Sequence, residues 1–130
     1  MSLLNCLLKI KSYNLALSFE QTLPNKERPD ATIGDPNQVG CLAIVECKGE
    51  LQRESKEFKD AVDKLKTQAE IAKCYIGILT LHSVFYVFWK DPQSGWREKE
   101  KRSADEVIDL LLRLKVHEDG AEELSFPPKE

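Results

Sequence analysis

The sequence predicts a mixed α/β (α+β) fold, one sheet of about five strands flanked by helices. Three observations predict it. Residues 41–48 form an apolar run that ends in Glu46 and Lys48, the pattern of a central strand covered on both faces. Residues 54–73 place Phe58, Ala61, Val62, Leu65, Ala69 and Ala72 at helical spacing, so one stripe of a long helix is buried. Residues 75–81 and 84–89 are short runs rich in β-branched and aromatic residues, with His82 and Ser83 near the bend between them.

The remaining elements come in chain order. Residues 3–10 are apolar enough for a short first helix. In residues 13–23, Leu15, Leu17 and Phe19 alternate with polar positions, which predicts a half-buried strand ended by Pro24 and Asn25. Residues 29–33 form a second short strand. Gly34, Asp35, Pro36, Asn37 and Gly40 then make a loop, because each favours a turn for its own backbone reason. After the last of the central strands, residues 91–95 form a turn. The mixed-sign segment 97–102 reads as a solvated loop. Ser103 is an N-cap with Glu106 three residues on, a capping box that starts a helix over 104–116 whose stripe is Val107, Leu110, Leu111 and Leu114. Residues 1–117 are expected to form one domain, and residues 118–130, acidic and carrying Pro127 and Pro128, a flexible tail.

Composition narrows the function classes. The chain has 130 residues, 42% hydrophobic and 32% charged, which suits a single globular domain. No apolar run is long enough for a membrane helix, and the N-terminus lacks the cleavage site of a secretory signal, so the expected setting is intracellular, cytoplasm or nucleus. Four cysteines without a CxxC pair and only two histidines argue against a structural zinc site and for reduced, buried thiols. The net charge of −3 excludes nucleic-acid binding by bulk electrostatics, so any such contact must come from local groups.

The local groups that stand out are Pro29-Asp30 and, after the apolar strand, Glu46-Cys47-Lys48. Alternate side chains of a strand share a face, so Leu42, Ile44, Glu46 and Lys48 point one way and Ala43, Val45 and Cys47 the other. A hairpin centred near Gln38 sets Asp30 across from Glu46. Two carboxylates can then bind a hard cation, Mg²⁺ or Mn²⁺, through oxygen. The cation would polarise a phosphoryl group and ionise water, while the lysine orients that water or stabilises developing charge. Glu-x-Lys is itself common and recurs at Glu54 and Glu57, on the long helix, where it is solvated decoration. A charged strand end meeting solvent is the plainer reading of the first copy. The apolar strand before it and the upstream Pro-Asp favour the chemical one. Asp35 also precedes a proline, but it lies inside the turn.

On these residues the chain resembles the PD-(D/E)xK nuclease superfamily, whose fold is restriction-endonuclease-like. The resemblance implies a metal-dependent nuclease domain that hydrolyses phosphodiester bonds of nucleic acid, DNA in preference to RNA. It makes Asp30 and Glu46 the ligands of Mg²⁺ (or Mn²⁺) and gives Lys48 the nucleophilic water. A glutamine on the helix after the motif strand is a further family feature, and Gln68 is the candidate, a polar boundary residue being the alternative. Tyr75 comes seven residues later and is expected in the core. An upstream acid would fall to Glu20, although the alternation sets it opposite Leu17 and Phe19. His82 at a strand end, and Trp89 and Trp96 as stacking surfaces, have structural uses as their simpler readings. The expected partners are nucleic acid and a second copy or further domains to hold a duplex, with no membrane. The alternative is a catalytically degenerate module of the same fold that acts in binding or assembly within a larger protein.

Overall fold

The computed structural model describes residues 16–18, 22–34 and 41–123. Within them, strands β1 (Ala16–Ser18), β2 (Ala31–Gly34), β3 (Ala43–Cys47), β4 (Ile76–Thr80), β5 (Phe85–Asp91) and β6 (Gly95–Lys101) form one six-stranded sheet in sequential order. All neighbours are antiparallel except β3 and β4. A parallel pair needs a crossover, and helix α1 (Lys56–Ile71) supplies it between β3 and β4. The mixed α/β architecture is therefore as expected. The helix expected over residues 3–10 and the turn at 35–40 lie outside the described residues, as do Glu20 and Asp35.

Each face of the sheet has its own core. On one, Ile44, Leu79, Tyr86 and Phe88 pack against Phe58, Ala61, Val62, Leu65 and Ala69 of α1. On the other, Ala31, Ile33, Ala43, Val45, Ile78, Val87 and Trp89 pack against Val107, Ile108, Leu110 and Leu111 of helix α2 (Ala104–Arg113). The apolar run of β3 is covered on both sides, which is why it lacks polar alternation until Glu46. Gly77 on β4 is required by this packing, since a Cβ there would stand 2.5 Å from Cγ of Leu65, a fully buried side chain. Gly77→Ala is expected to cost about 2 kcal/mol through overpacking, read as a lower urea midpoint with an unchanged slope.

Three expectations are corrected. The segment 97–102 is not a solvated loop: its residues 97–101 belong to the edge strand β6, paired with β5 along its whole length. Its backbone satisfies the ladder whatever the side chains, and charged residues suit an edge. The last helix has its expected cap, with Ser103 Oγ accepting from Glu106 N–H, but it ends at Arg113 rather than 116. Leu114 turns extended and opens β7 (Leu114–His117), which pairs with β8 (Gly120–Glu123). Residues 118–123 therefore belong to the folded domain and not to a tail: Ala121 is fully buried, and Gly120 approaches β5 so closely that a Cβ would meet the Lys90 carbonyl. Residues 124–130 lie outside the described residues. No helix among the described residues is long and apolar enough to cross a membrane.

Candidate functional site

The site is built by the register of β2 and β3. Ala31 pairs with Val45 and Thr32 with Ile44, so the residue before β2, Asp30, comes opposite Glu46 on the face covered by α1. Asp30 is fixed there by a 2.7 Å hydrogen bond in which its Oδ2 accepts from the Cys47 backbone N–H. The spatial pairing of Asp30 with Glu46 inferred from the turn position thus matches the structure.

Glu46 is only 3% exposed, an uncommon position for a carboxylate. Its Oε2 accepts no hydrogen bond. Burial raises its pKa above the ordinary 4.5, and hydrogen-bonding contact with Asp30, together with that residue's charge, raises it further; Lys64 and Lys48 oppose the rise. Two acids held against each other in a partly dry place stabilise either a shared proton or a cation. Lys64 Nζ stands 3.8 Å from the bare Oε2, an ion pair without a hydrogen bond. Lys48, just beyond β3, is exposed and lies with Lys64 on a cleft of about 360 Å³ completed by Leu51, Glu57, Asp60 and Ala61.

Gln68 is fully buried on the α1 face, four residues and so one turn beyond Lys64. Its Nε2 donates to Glu27 Oε2 at 3.0 Å, and its Oε1 has no partner. The helix thus carries two stripes. Phe58, Ala61, Leu65 and Ala69 enter the core, and Glu57, Asp60, Lys64 and Gln68 run beside them, Lys64 reaching Glu46 and Gln68 reaching Glu27. Sequence reasoning missed Glu27 and Lys64. The signal for Lys64 was its helical spacing from Gln68, and for Glu27 only its nearness to Asp30.

The other candidates lie elsewhere. Tyr75 packs at the edge of the α2-side core, with its hydroxyl donating to the Glu118 carbonyl at 2.8 Å. Trp89 is fully buried in that same core, so it offers no stacking surface. Trp96 is half-buried against the α1-side core, under the Lys66 ammonium. His82 is exposed and lines a separate hollow with Arg53, Glu50 and Ser83. On β6, Arg97 pairs with Asp91, Glu98 with Arg53, Lys99 with Glu123 and Glu100 with Arg102, so basic and acidic residues alternate along the strand. The described cysteines are thiols rather than disulfides, and Cys41 and Cys74 hydrogen-bond each other, which lowers the Cys41 pKa and, with burial, raises that of Cys74.

The donor chemistry fits a hard cation. Asp30 and Glu46 offer oxygen ligands, and Glu46 Oε2 is buried with no hydrogen bond to lose. Among the described residues no three of His, Cys, Asp and Glu gather as a metal cluster. A cation here would therefore hold two protein carboxylates and complete its shell with water or phosphate, as Mg²⁺ commonly does. Comparison of the chain with protein-family models, with curated proteins and with solved structures finds no match.

Proposed function

We propose that the chain is a nuclease domain of restriction-endonuclease-like fold, hydrolysing phosphodiester bonds of nucleic acid, DNA in preference to RNA, with Mg²⁺ or Mn²⁺. The observation that carries this reading is the meeting of Asp30 with a buried Glu46 at the end of the β2–β3 pair, with Lys48 two residues on, just past the end of β3. Asp30 and Glu46 would hold the cation. When bound, it supplies Lewis-acid activation of the phosphoryl group and a more acidic water. The chain's own residues supply the rest. Asp30 is oriented by the Cys47 N–H, which fixes the direction of its carboxylate. Glu46 is positioned by a central strand locked into both cores. Lys48, exposed at the cleft, orients the attacking water and stabilises charge on the phosphorane oxygens. Gln68, buried on α1 and hydrogen-bonded to Glu27, would take the further family role.

A second reading is favoured by one feature, the Lys64 ammonium already beside Glu46. In it the same fold is a non-catalytic module for binding or assembly. A single assay separates the two. Single- and double-stranded DNA and RNA are incubated with the full chain in Mg²⁺ or in excess chelator. The nuclease reading expects DNA cut in Mg²⁺ and intact in chelator. Intact substrates in Mg²⁺ and in Mn²⁺ alike would select the non-catalytic module.

A further inference from the structure

Lys64 takes a place that the nuclease reading leaves unexplained, and the role inferred for it rests on that reading. The rotation of α1 is fixed by Leu65, fully buried over Gly77, so the neighbouring Lys64 is delivered to the edge of the acid pair. Its side chain is about half exposed (49%), whereas that of Glu46 is 4% exposed. The contact is 3.8 Å long, and Glu46 Oε2 accepts no hydrogen bond. Charge is thus neutralised without a directional bond that would have to be broken. The same ammonium group faces the cleft that Lys48 lines.

We propose that Lys64 is an exchangeable counter-ion, standing beside Glu46 in place of the divalent cation and turning into the Lys48 cleft to hold a substrate phosphate once the cation is bound. The charge balance supports the exchange. Lys64 stands beside Glu46, and with Asp30, Glu57 and Asp60 nearby the resting site holds more acids than lysines, a net charge that draws a divalent cation. A divalent cation held by Asp30 and Glu46 takes over the neutralisation of Glu46 and repels the adjacent Lys64 ammonium, which is then free to meet a phosphodiester. A lysine suits this use, because its ammonium is a point charge on a flexible stem rather than a fixed fork.

The exchange predicts effects of opposite sign from one substitution. Lys64→Met keeps the apolar stem and removes the charge. Mn²⁺ titrated calorimetrically into the full chain is expected to bind Lys64→Met about tenfold tighter than the native protein. At saturating Mn²⁺ the KM for a DNA duplex is expected to rise about tenfold, with kcat little changed. Lys64→Arg should restore both values toward native. A purely structural lysine would not tighten metal binding when removed. Equal or weaker Mn²⁺ binding by Lys64→Met, with the native protein still binding, overturns the exchange and leaves the nuclease reading standing. No Mn²⁺ binding by either protein overturns both.

Discussion

Glu46→Gln is expected to slow DNA cleavage about 10³-fold and to remove measurable Mn²⁺ binding, while leaving the protein at least as stable as native at pH 7. The rate follows from losing one of the two carboxylates proposed to hold the cation, since a bound metal supplies several kcal/mol of transition-state stabilisation. The stability follows from the pKa. Burial first, and then contact with Asp30, raises Glu46 above its ordinary 4.5. The folded protein therefore holds this proton more tightly than the unfolded chain does. The contribution favours folding below about pH 4.5 and is lost as the pH rises through the folded value. Glutamine, neutral throughout, does not incur that loss. Urea midpoints of both proteins from pH 4 to 8 check the sign: the variant should gain on the native protein as the pH rises. A variant that loses cleavage together with stability would instead make Glu46 a packing residue.

Lys48→Met is the second large effect, and it has a different signature. Lys48 lies beyond the end of β3 and is exposed, so its removal should not disturb either core. A donor aimed at developing charge is worth about 10²-fold in rate when removed. Cleavage is accordingly expected to fall about 10²-fold in kcat, with the urea midpoint unchanged and Mn²⁺ bound as well as before or better. Single-turnover cleavage beside calorimetry reads both. A fall in Mn²⁺ affinity equal to the fall in rate would assign Lys48 to holding the site together rather than to the chemical step.

Much of this geometry was legible because it depends on local periods. The apolar run of β3 and the turn formers at 34–40 were enough to set Asp30 against Glu46. The stripe of α1 placed Gln68 at the sheet. What was not legible depends on approach in space. β6 carries Arg97, Glu98, Lys99, Glu100 and Lys101 in a row, and only its pairing with β5 identifies it as a strand. By spacing alone the stripe of α2 runs on through Leu114, yet Leu114 and Val116 alternate as well as they turn, and packing against the sheet selects the extended form. Arg113 and Lys99 then both pair with Glu123, anchoring a segment whose acidic composition suggests a tail. Glu27 meets Gln68 across 41 residues, and Lys64 meets Glu46 through the crossover, contacts that no local pattern encodes.

If Asp30 and Glu46 form one divalent-cation site, anomalous diffraction from crystals of the full chain grown with Mn²⁺ tests it most directly. The expected result is a manganese peak bridging the two carboxylates, with the Lys64 ammonium displaced from Glu46. No anomalous peak between them, and Lys64 still at Glu46 in saturating Mn²⁺, would contradict it.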